Sequence, residues 1–440
     1  MNKVLILGAG LVSRPMVRYL LDAVGCRLTV ASRTVDKAEK LVAGHPNGAA
    51  VELLVDDNNT LDRLVGDHDV TVSLLPYIYH VQVARHCISH RRHLVTTSYV
   101  SDAMRALDAD AKAAGVLLLN EIGLDPGIDH MSAMAVIDRL RDAGGRVTSF
   151  RSWCGGLPAP EANDNPLGYK FSWSPKGVVM AGRNDARYLE NGREVFVPGR
   201  ELFGHRWTLH VEGEREFEAY PNRNSLPYIG LYGLEGIGTM LRGTLRNPGW
   251  CETLKAIAGL GLLDDRIRDN LAGLTRAAWV REHVAGTVDL RADVANRLGV
   301  GPSARVVENM AWLGMFDELP VGLDRGSSLD ILARLMLDRM AYRPGERDMI
   351  VLYHEFAAEK AGRPAVNITS KLVAYGEPGG DSAMARTVSL PAAVAARFLL
   401  EGRVRLSGVH IPVVPELYRP VLEELARLGI ECVERETPTA

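Results

Sequence analysis

Apolar positions along the first part of the chain fall into two rhythms. The continuous run Lys3 to Leu7 (KVLIL) is followed by Gly8-Ala9-Gly10-Leu11-Val12-Ser13, then by Met16, Val17, Leu20 and Leu21 at helical spacing up to Ala23. That order predicts strand, glycine turn, helix. Leu28-Thr29-Val30-Ala31 follows at the distance a βαβ unit requires, and Val51–Val55, Val70–Leu75, His93–Thr96 and Val116–Leu119 read as further strands. Helical segments such as Val81–Ser89 and Asp102–Ala114 lie between them. Alternation of this kind predicts an α/β fold with a parallel, doubly wound Rossmann sheet covered on both faces.

Past Leu119 the rhythm changes. Arg146 to Cys154 (RVTSFRSWC) alternates like a half-buried strand, and Gly155 to Lys176 is dense in Gly, Pro, Asn and Asp, with Tyr169, Phe171 and Trp173 alternating through it. That segment reads as binding loops on a second sheet. Leu254, Ile257, Leu260 and Leu263, then Val306, Met310 and Leu313, recur at helical spacing, which predicts a helical insertion over 249–332. The strand Asn367–Tyr375 and the helix Leu390–Leu400 come late, and the chain is expected to return to the first domain there.

Composition narrows the class. A chain of 440 residues exceeds the size at which single cores stop growing, about 250–300 residues, so two or three domains are expected. With 51 basic against 54 acidic residues there is no cationic excess to hold a polyanion, and nucleic acid is not an expected partner. The N-terminal apolar run is too short for a signal peptide, and no later run approaches the roughly 18 residues that span a bilayer, so a cytoplasmic, membrane-free protein is expected. Five scattered cysteines without CxxC spacing suggest neither a disulfide framework nor a zinc site. His86 and His90 share a helix face but lack the Glu of HExxH; with His80 and His93 they read as solvated residues, and no metal is expected.

The glycine turn carries the first chemistry. In G-x-G-x-x-G the first glycine permits the turn, the second lets a pyrophosphate approach the backbone, and the third allows close helix packing. Here Ser13 stands third, and Gly8, Gly10, Leu11 and Val12 are the candidate cofactor residues. The plainer reading is a tight strand-to-helix connection. At the end of the second strand, Ser32-Arg33-Thr34 offers a guanidinium flanked by hydroxyls where NAD would call for a carboxylate. Arginine grips a 2′-phosphate through two charge-assisted bonds, so NADP is the expected cofactor. Otherwise Arg33 is a surface residue at a helix start.

Asn120 to His130 (NEIGLDPGIDH) packs three carboxylates, two glycines and a proline just past a predicted buried strand. Ligands of open α/β sheets bind beyond the carboxyl ends of strands, which places this stretch at the site. The plainer reading is an acidic linker, and for Asp129 and His130 it is the preferred one: they form only the first turn of the next helix, where a carboxylate favours the dipole. Glu121 stays open between the two.

The chain resembles the saccharopine reductase family, the glutamate-forming saccharopine dehydrogenases, over nearly its whole length. The motifs are SLLPY (Ser73–Tyr77), VTTSYVS (Val95–Ser101), NEIGLDPGIDH, CGGLPAPEANDNPLGYKFSWSPKGV (Cys154–Val178), YPNRNS (Tyr220–Ser225), LRGTLR (Leu241–Arg246) and ERDMI (Glu346–Ile350). The resemblance implies a Rossmann domain over 1–124, to which about 385–440 returns, a mixed-sheet domain for substrate and dimerisation over 125–248 and 333–384, and a helical domain over 249–332. A homodimer is implied as well.

It further implies an NADP-dependent interconversion of saccharopine with L-glutamate and 2-aminoadipate 6-semialdehyde, in lysine metabolism. Arg223 and Arg246 match positions that bind substrate carboxylates, and Ser98, Tyr99, Asp125 and Thr244 match other substrate positions. Leu75, Leu124 and Ser174 fall at the cofactor, Ser174 at its edge towards the substrate. Asp125, Tyr99 and Cys154 are the candidates for moving protons. Without the resemblance, Arg223 and Arg246 would read as surface salt bridges and Cys154 as a small buried residue. A carboxynorspermidine dehydrogenase or homospermidine synthase type of reaction, and a non-catalytic NADP-binding regulator, are the alternatives; intact YPNRNS and LRGTLR speak against both. Two departures from the family pattern stand out, Ser13 at the third glycine position and Asn224 where Asp is more usual.

Overall fold

A computed structural model describes residues 2–286, 289–360 and 364–438. Met1, with which the N-terminal run begins, lies outside the described residues, as do two positions of the expected helical domain, Thr287 and Val288. The chain forms two compact units: Met1–Arg146 with Glu359–Val366 and Ser370–Ala440, and Val147–Ala358 with Asn367–Thr369.

The first unit is built on a seven-stranded sheet. Its strands are β1 (Lys3–Leu7), β2 (Arg27–Ser32), β3 (Gly48–Glu52), β4 (Val70–Ser73), β5 (His93–Thr96) and β6 (Leu117–Leu119), in the order β6-β5-β4-β1-β2-β3, with Gly408–His410 beside β6. Every pairing is parallel. Val4 to Leu7 are fully buried, because helices cover both faces and leave no polar side to the strand. The expected Rossmann sheet is therefore present, reversing at β1 as a doubly wound fold does.

Several element boundaries moved. β3 ends at Glu52 rather than Val55: the Leu53 side chain turns into the core while Leu54 is left exposed. The helix expected over Asp102–Ala114 splits into Asp102–Arg105 and Asp108–Ala114, with Asp108 Oδ1 accepting the Val409 amide at 2.9 Å. The first helix, Ser13–Arg18, runs straight into a π-helical turn, Tyr19–Val24. The late helix starts earlier than expected, at Ala383, and spans 18 residues to Leu400. Its length and composition suffice to cross a membrane, correcting the expectation that no such run exists; 78% of it is buried in the structure. It packs on the first helix and on β4 and β5, as a core helix does.

In the second unit the strands Trp207–His210, Glu216–Pro221, Thr239–Arg246, Gly145–Pro158 and Asp348–Lys360 are successive neighbours. The first three pair antiparallel, and Thr239–Arg246 pairs parallel with Gly145–Pro158, so this second sheet is mixed as expected. Helices Trp250–Gly259, Arg276–Arg281, Leu290–Leu298, Arg305–Trp312 and Ser328–Met340 lie in the chain between the strands Thr239–Arg246 and Asp348–Lys360.

Candidate active site

The glycine turn after β1 is closed from within. Ser13 Oγ accepts the Gly10 amide at 3.0 Å and donates to the Gly8 carbonyl at 3.2 Å, so a serine at the third glycine position ties the loop together. A side chain at Gly10 would meet nothing within 4 Å, which leaves the backbone open to a close ligand, and Leu11 beside it is 71% exposed. Ser32 ends the neighbouring strand β2, and Arg33 and Thr34 follow it; Ser32 Oγ accepts the Thr34 amide at 3.2 Å. Arg33 and Lys37 are exposed, and among the described residues neither forms an ion pair. Open backbone and unpaired cations fit a dinucleotide bearing a 2′-phosphate. Leu75 lies two residues beyond β4, on the other side of β1, and Leu124 is buried in the loop after β6.

That loop holds Asp125, half-buried, with the Tyr99 hydroxyl donating to its Oδ1 at 3.1 Å. Two residues on, Gly127 has φ 149°, and a side chain there would lie 2.1 Å from the Gly123 carbonyl oxygen, so only glycine fits. Beneath the loop, Glu121 Oε2 meets His130 Nε2 at 2.9 Å, Glu121 Oε1 accepts the Val100 amide at 3.0 Å, and Asp129 Oδ1 accepts the Gly127 amide at 2.6 Å. All three side chains are buried. Asp129 and His130 thus do more than start a helix: with Glu121 they anchor both ends of the loop that presents Asp125.

Ser98 is half-buried beside Tyr99, and its Oγ lies 2.9 Å from His80 Nε2. His80 itself is buried, not solvated, and burial pushes its pKa down to about 4. His86 and His90 also depart from the solvated reading, since both bond Asp62 Oδ1, at 2.9 and 2.8 Å. Those two bonds hold the Asp62 carboxyl below the usual range.

In the second unit, the strand Thr239–Arg246 turns Arg242, Thr244 and Arg246 to one face, by the two-residue period of a strand. Thr244 pairs across to Cys154 on one side and Tyr220 on the other. Arg246 is 6% exposed, its guanidinium carbon 4.9 Å from the Tyr169 ring centre and 5.3 Å from that of Trp250. Its Nη1 donates to the Leu245 carbonyl at 2.7 Å, its Nε has no partner, and among the described residues no carboxylate pairs with it. Despite the cost of burial, its pKa is raised, by Tyr220, Tyr169 and the thiols of Cys251 and Cys154.

The strand ladder keeps the two candidate arginines, Arg223 and Arg246, apart. Arg223 is exposed in the turn after Glu216–Pro221, where the Asn222 amide bonds the Arg242 carbonyl, four residues and thus about 14 Å of strand from Arg246. Asn224 points its side-chain carbonyl at the Leu226 amide, 3.1 Å away, and so shapes the turn. Ser174 caps the helix Pro175–Ala181 by accepting the Gly177 amide at 3.3 Å.

Residues 4–119 match the saccharopine dehydrogenase NADP binding domain and residues 123–430 the saccharopine dehydrogenase C-terminal domain. The chain belongs to the saccharopine dehydrogenase family. It is 40% identical to saccharopine dehydrogenase (NADP+, L-glutamate-forming) of Pyricularia oryzae and 38% to that of Saccharomyces cerevisiae, over 99% of each chain in both cases. It is 37% identical to the mitochondrial alpha-aminoadipic semialdehyde synthase of Bos taurus, over 98% of this chain and 47% of that one. The solved apo saccharopine dehydrogenase (L-Glu forming) from Saccharomyces cerevisiae superposes with a TM-score of 0.89 at 37% identity, covering 99% of this chain and all of that one.

Within this saccharopine dehydrogenase family member, one further feature escaped the sequence reading. Lys170 is buried, with its Nζ 2.9 Å from Asp164 and 2.7 Å from Glu346, and so fastens the aromatic segment to the ERDMI motif. A lysine in a loop-like stretch gave no local signal of burial.

Proposed function

We propose that this chain is an NADP-dependent oxidoreductase that interconverts saccharopine with L-glutamate and 2-aminoadipate 6-semialdehyde in lysine metabolism. One observation carries the reading beyond family membership: Arg246 is a buried cation with an unpartnered Nε, an aromatic surround and, among the described residues, no carboxylate of its own. A buried charge left alone costs several kcal/mol, and a ligand carboxylate is what removes that cost. Saccharopine carries three. No feature of the site favours the polyamine or regulatory alternatives.

NADPH, when bound, supplies hydride to the carbon of the imine formed between glutamate and the semialdehyde, and NADP+ takes it back in reverse. The chain supplies placement and proton handling. Arg246 and Thr244 hold one carboxylate end, and Arg223 serves another. Asp125, oriented by the Tyr99 hydroxyl, pairs with the substrate amine and holds its proton. Cys154, beside Thr244, keeps its thiol in the field of Arg246. Alignment of two reactants supplies about 7–11 kcal/mol of the barrier reduction and a placed acid or base roughly 10²–10⁴-fold in rate.

The cytoplasm as compartment and a homodimer as assembly belong to the same reading. Five free cysteines favour a reducing compartment. Val433–Pro438 is an exposed strand at the edge of its sheet, next to Val366–Tyr375, and such an edge offers a pairing surface to a second copy. Light scattering on the purified chain tests the assembly.

The activity is tested by following saccharopine oxidation at the nicotinamide absorbance band, with NADP and NAD side by side. Turnover favouring NADP is expected; no turnover with either cofactor overturns the reading.

A further inference from the structure

Three hydroxyls from three places in the chain converge on the buried ring of His80. Ser73, the last residue of β4, has its Oγ 3.0 Å from Nδ1. Ser98 Oγ and Thr96 Oγ1 lie 2.9 and 3.1 Å from Nε2. The ring is 4% exposed, whereas Ser98 is half-buried and so within reach of a ligand. SLLPY and VTTSYVS, far apart in sequence, are thereby joined through one imidazole.

The count of partners at each nitrogen decides the proton's position. A neutral ring has one N–H and one lone pair. Two oxygens crowd Nε2 and one faces Nδ1. A lone pair at Nε2 would accept well from only one of its two neighbours and oppose the other, whereas an N–H there is shared by both. Thr96 Oγ1 also accepts the Ser98 amide at 3.4 Å, consistent with its acting as an acceptor. Nδ1 then accepts the Ser73 hydroxyl. With its oxygen already receiving the ring N–H, Ser98 keeps its own O–H to donate.

We propose that His80 is a positioning residue that fixes Ser98 as a hydrogen-bond donor to a carboxylate oxygen of the substrate, through a Ser73-to-His80-to-Ser98 relay. This rests on the reading above that Ser98 faces saccharopine. Each donation polarises the next, so the last hydroxyl is a better donor than an isolated serine. The relay also gives Ser98 a polarity: it suits an anionic acceptor and disfavours an ammonium group.

The experiment combines spectroscopy with a mutant cycle. Imidazole ¹⁵N–¹H correlation on the wild-type chain should show His80 as the Nε2–H tautomer. His80→Phe, which keeps a ring but no nitrogen, should raise KM for saccharopine roughly 10- to 100-fold, the range of one charge-assisted hydrogen bond, with KM for NADP little changed. His80→Gln, which retains an N–H on that side, should recover much of the loss. In a Ser98→Ala background, His80→Phe should add almost nothing. An Nδ1–H tautomer, or losses that simply add across the cycle, overturns the relay. Should the wild type fail to oxidise saccharopine, the proposed function falls, while the tautomer measurement still decides the polarity of Ser98.

Discussion

The guanidinium of Arg246 lies 4.9 Å from the centre of the Tyr169 ring. A planar cation stacked this way keeps its donor edge pointing along one direction, which a lysine ammonium on a flexible stem cannot do. The aromatic wall thus sets the orientation of a charge that, in the proposed function, takes its counter-ion from a ligand.

Arg246→Lys should therefore retain charge yet lose the bidentate grip, raising KM for saccharopine by about 10²-fold, equivalent to roughly 3 kcal/mol, with KM for NADP unchanged. Arg246→Met should abolish binding while leaving thermal stability equal or higher, because an uncompensated buried charge is removed. Steady-state kinetics and a melting curve on each variant check both halves. A strongly destabilised Met variant would mean that the arginine is structural.

Arg33 sits exposed at the end of β2 without an ion pair among the described residues. Arg33→Ala should lower kcat/KM with NADP by roughly 10- to 100-fold, the worth of a charge-assisted contact to phosphate, and change that with NAD by only a few-fold. Comparing the two cofactors on one preparation is enough; equal losses with both would remove Arg33 from the 2′-phosphate.

What could be read from the sequence was what is local. The KVLIL strand, the glycine turn and the Ser32-Arg33-Thr34 segment each declare themselves within a few residues, because strand burial and turn geometry are properties of neighbours. His80 and His130 do not. Their burial depends on where β4, β5 and the loop after β6 end relative to one another, so a histidine in an ordinary helical stretch reads as solvated until the sheet is assembled. The Tyr99–Asp125 bond joins residues 26 apart, and Lys170 reaches Glu346 across 176 positions. Such pairs have no periodic trace. The shifted end of β3 has the same origin: pairing of Ser32 with Glu52 sets it, and apolar content alone extends it too far.

The buried Glu121–His130 pair makes the loop that presents Asp125, a candidate site residue, a stability element. His130→Ala removes one partner of a buried, hydrogen-bonded pair and should cost about 3–5 kcal/mol by denaturant unfolding. Glu121→Gln, which can still bond the ring, should cost less. If His130→Ala unfolds at the wild-type midpoint, the network does not anchor the loop.

Acid should destabilise the first unit, and the sign follows from His80. Its folded pKa is about 4 against an ordinary 6.5, because burial disfavours the charged ring. Between those values the unfolded chain binds a proton that the folded chain refuses, so stability rises with pH across this window and is lost as pH falls below about 6.5. His68 and His93 are shifted the same way, each chiefly by burial, and add to the slope. The drop from 6.5 to about 4 corresponds to about 3–4 kcal/mol at most for His80. Denaturant midpoints between pH 4 and 7 should fall steadily towards acid in the wild type, and His80→Gln should flatten part of that fall. A variant with the full wild-type slope would show that His80 titrates normally, and that its ring is not held neutral by the fold.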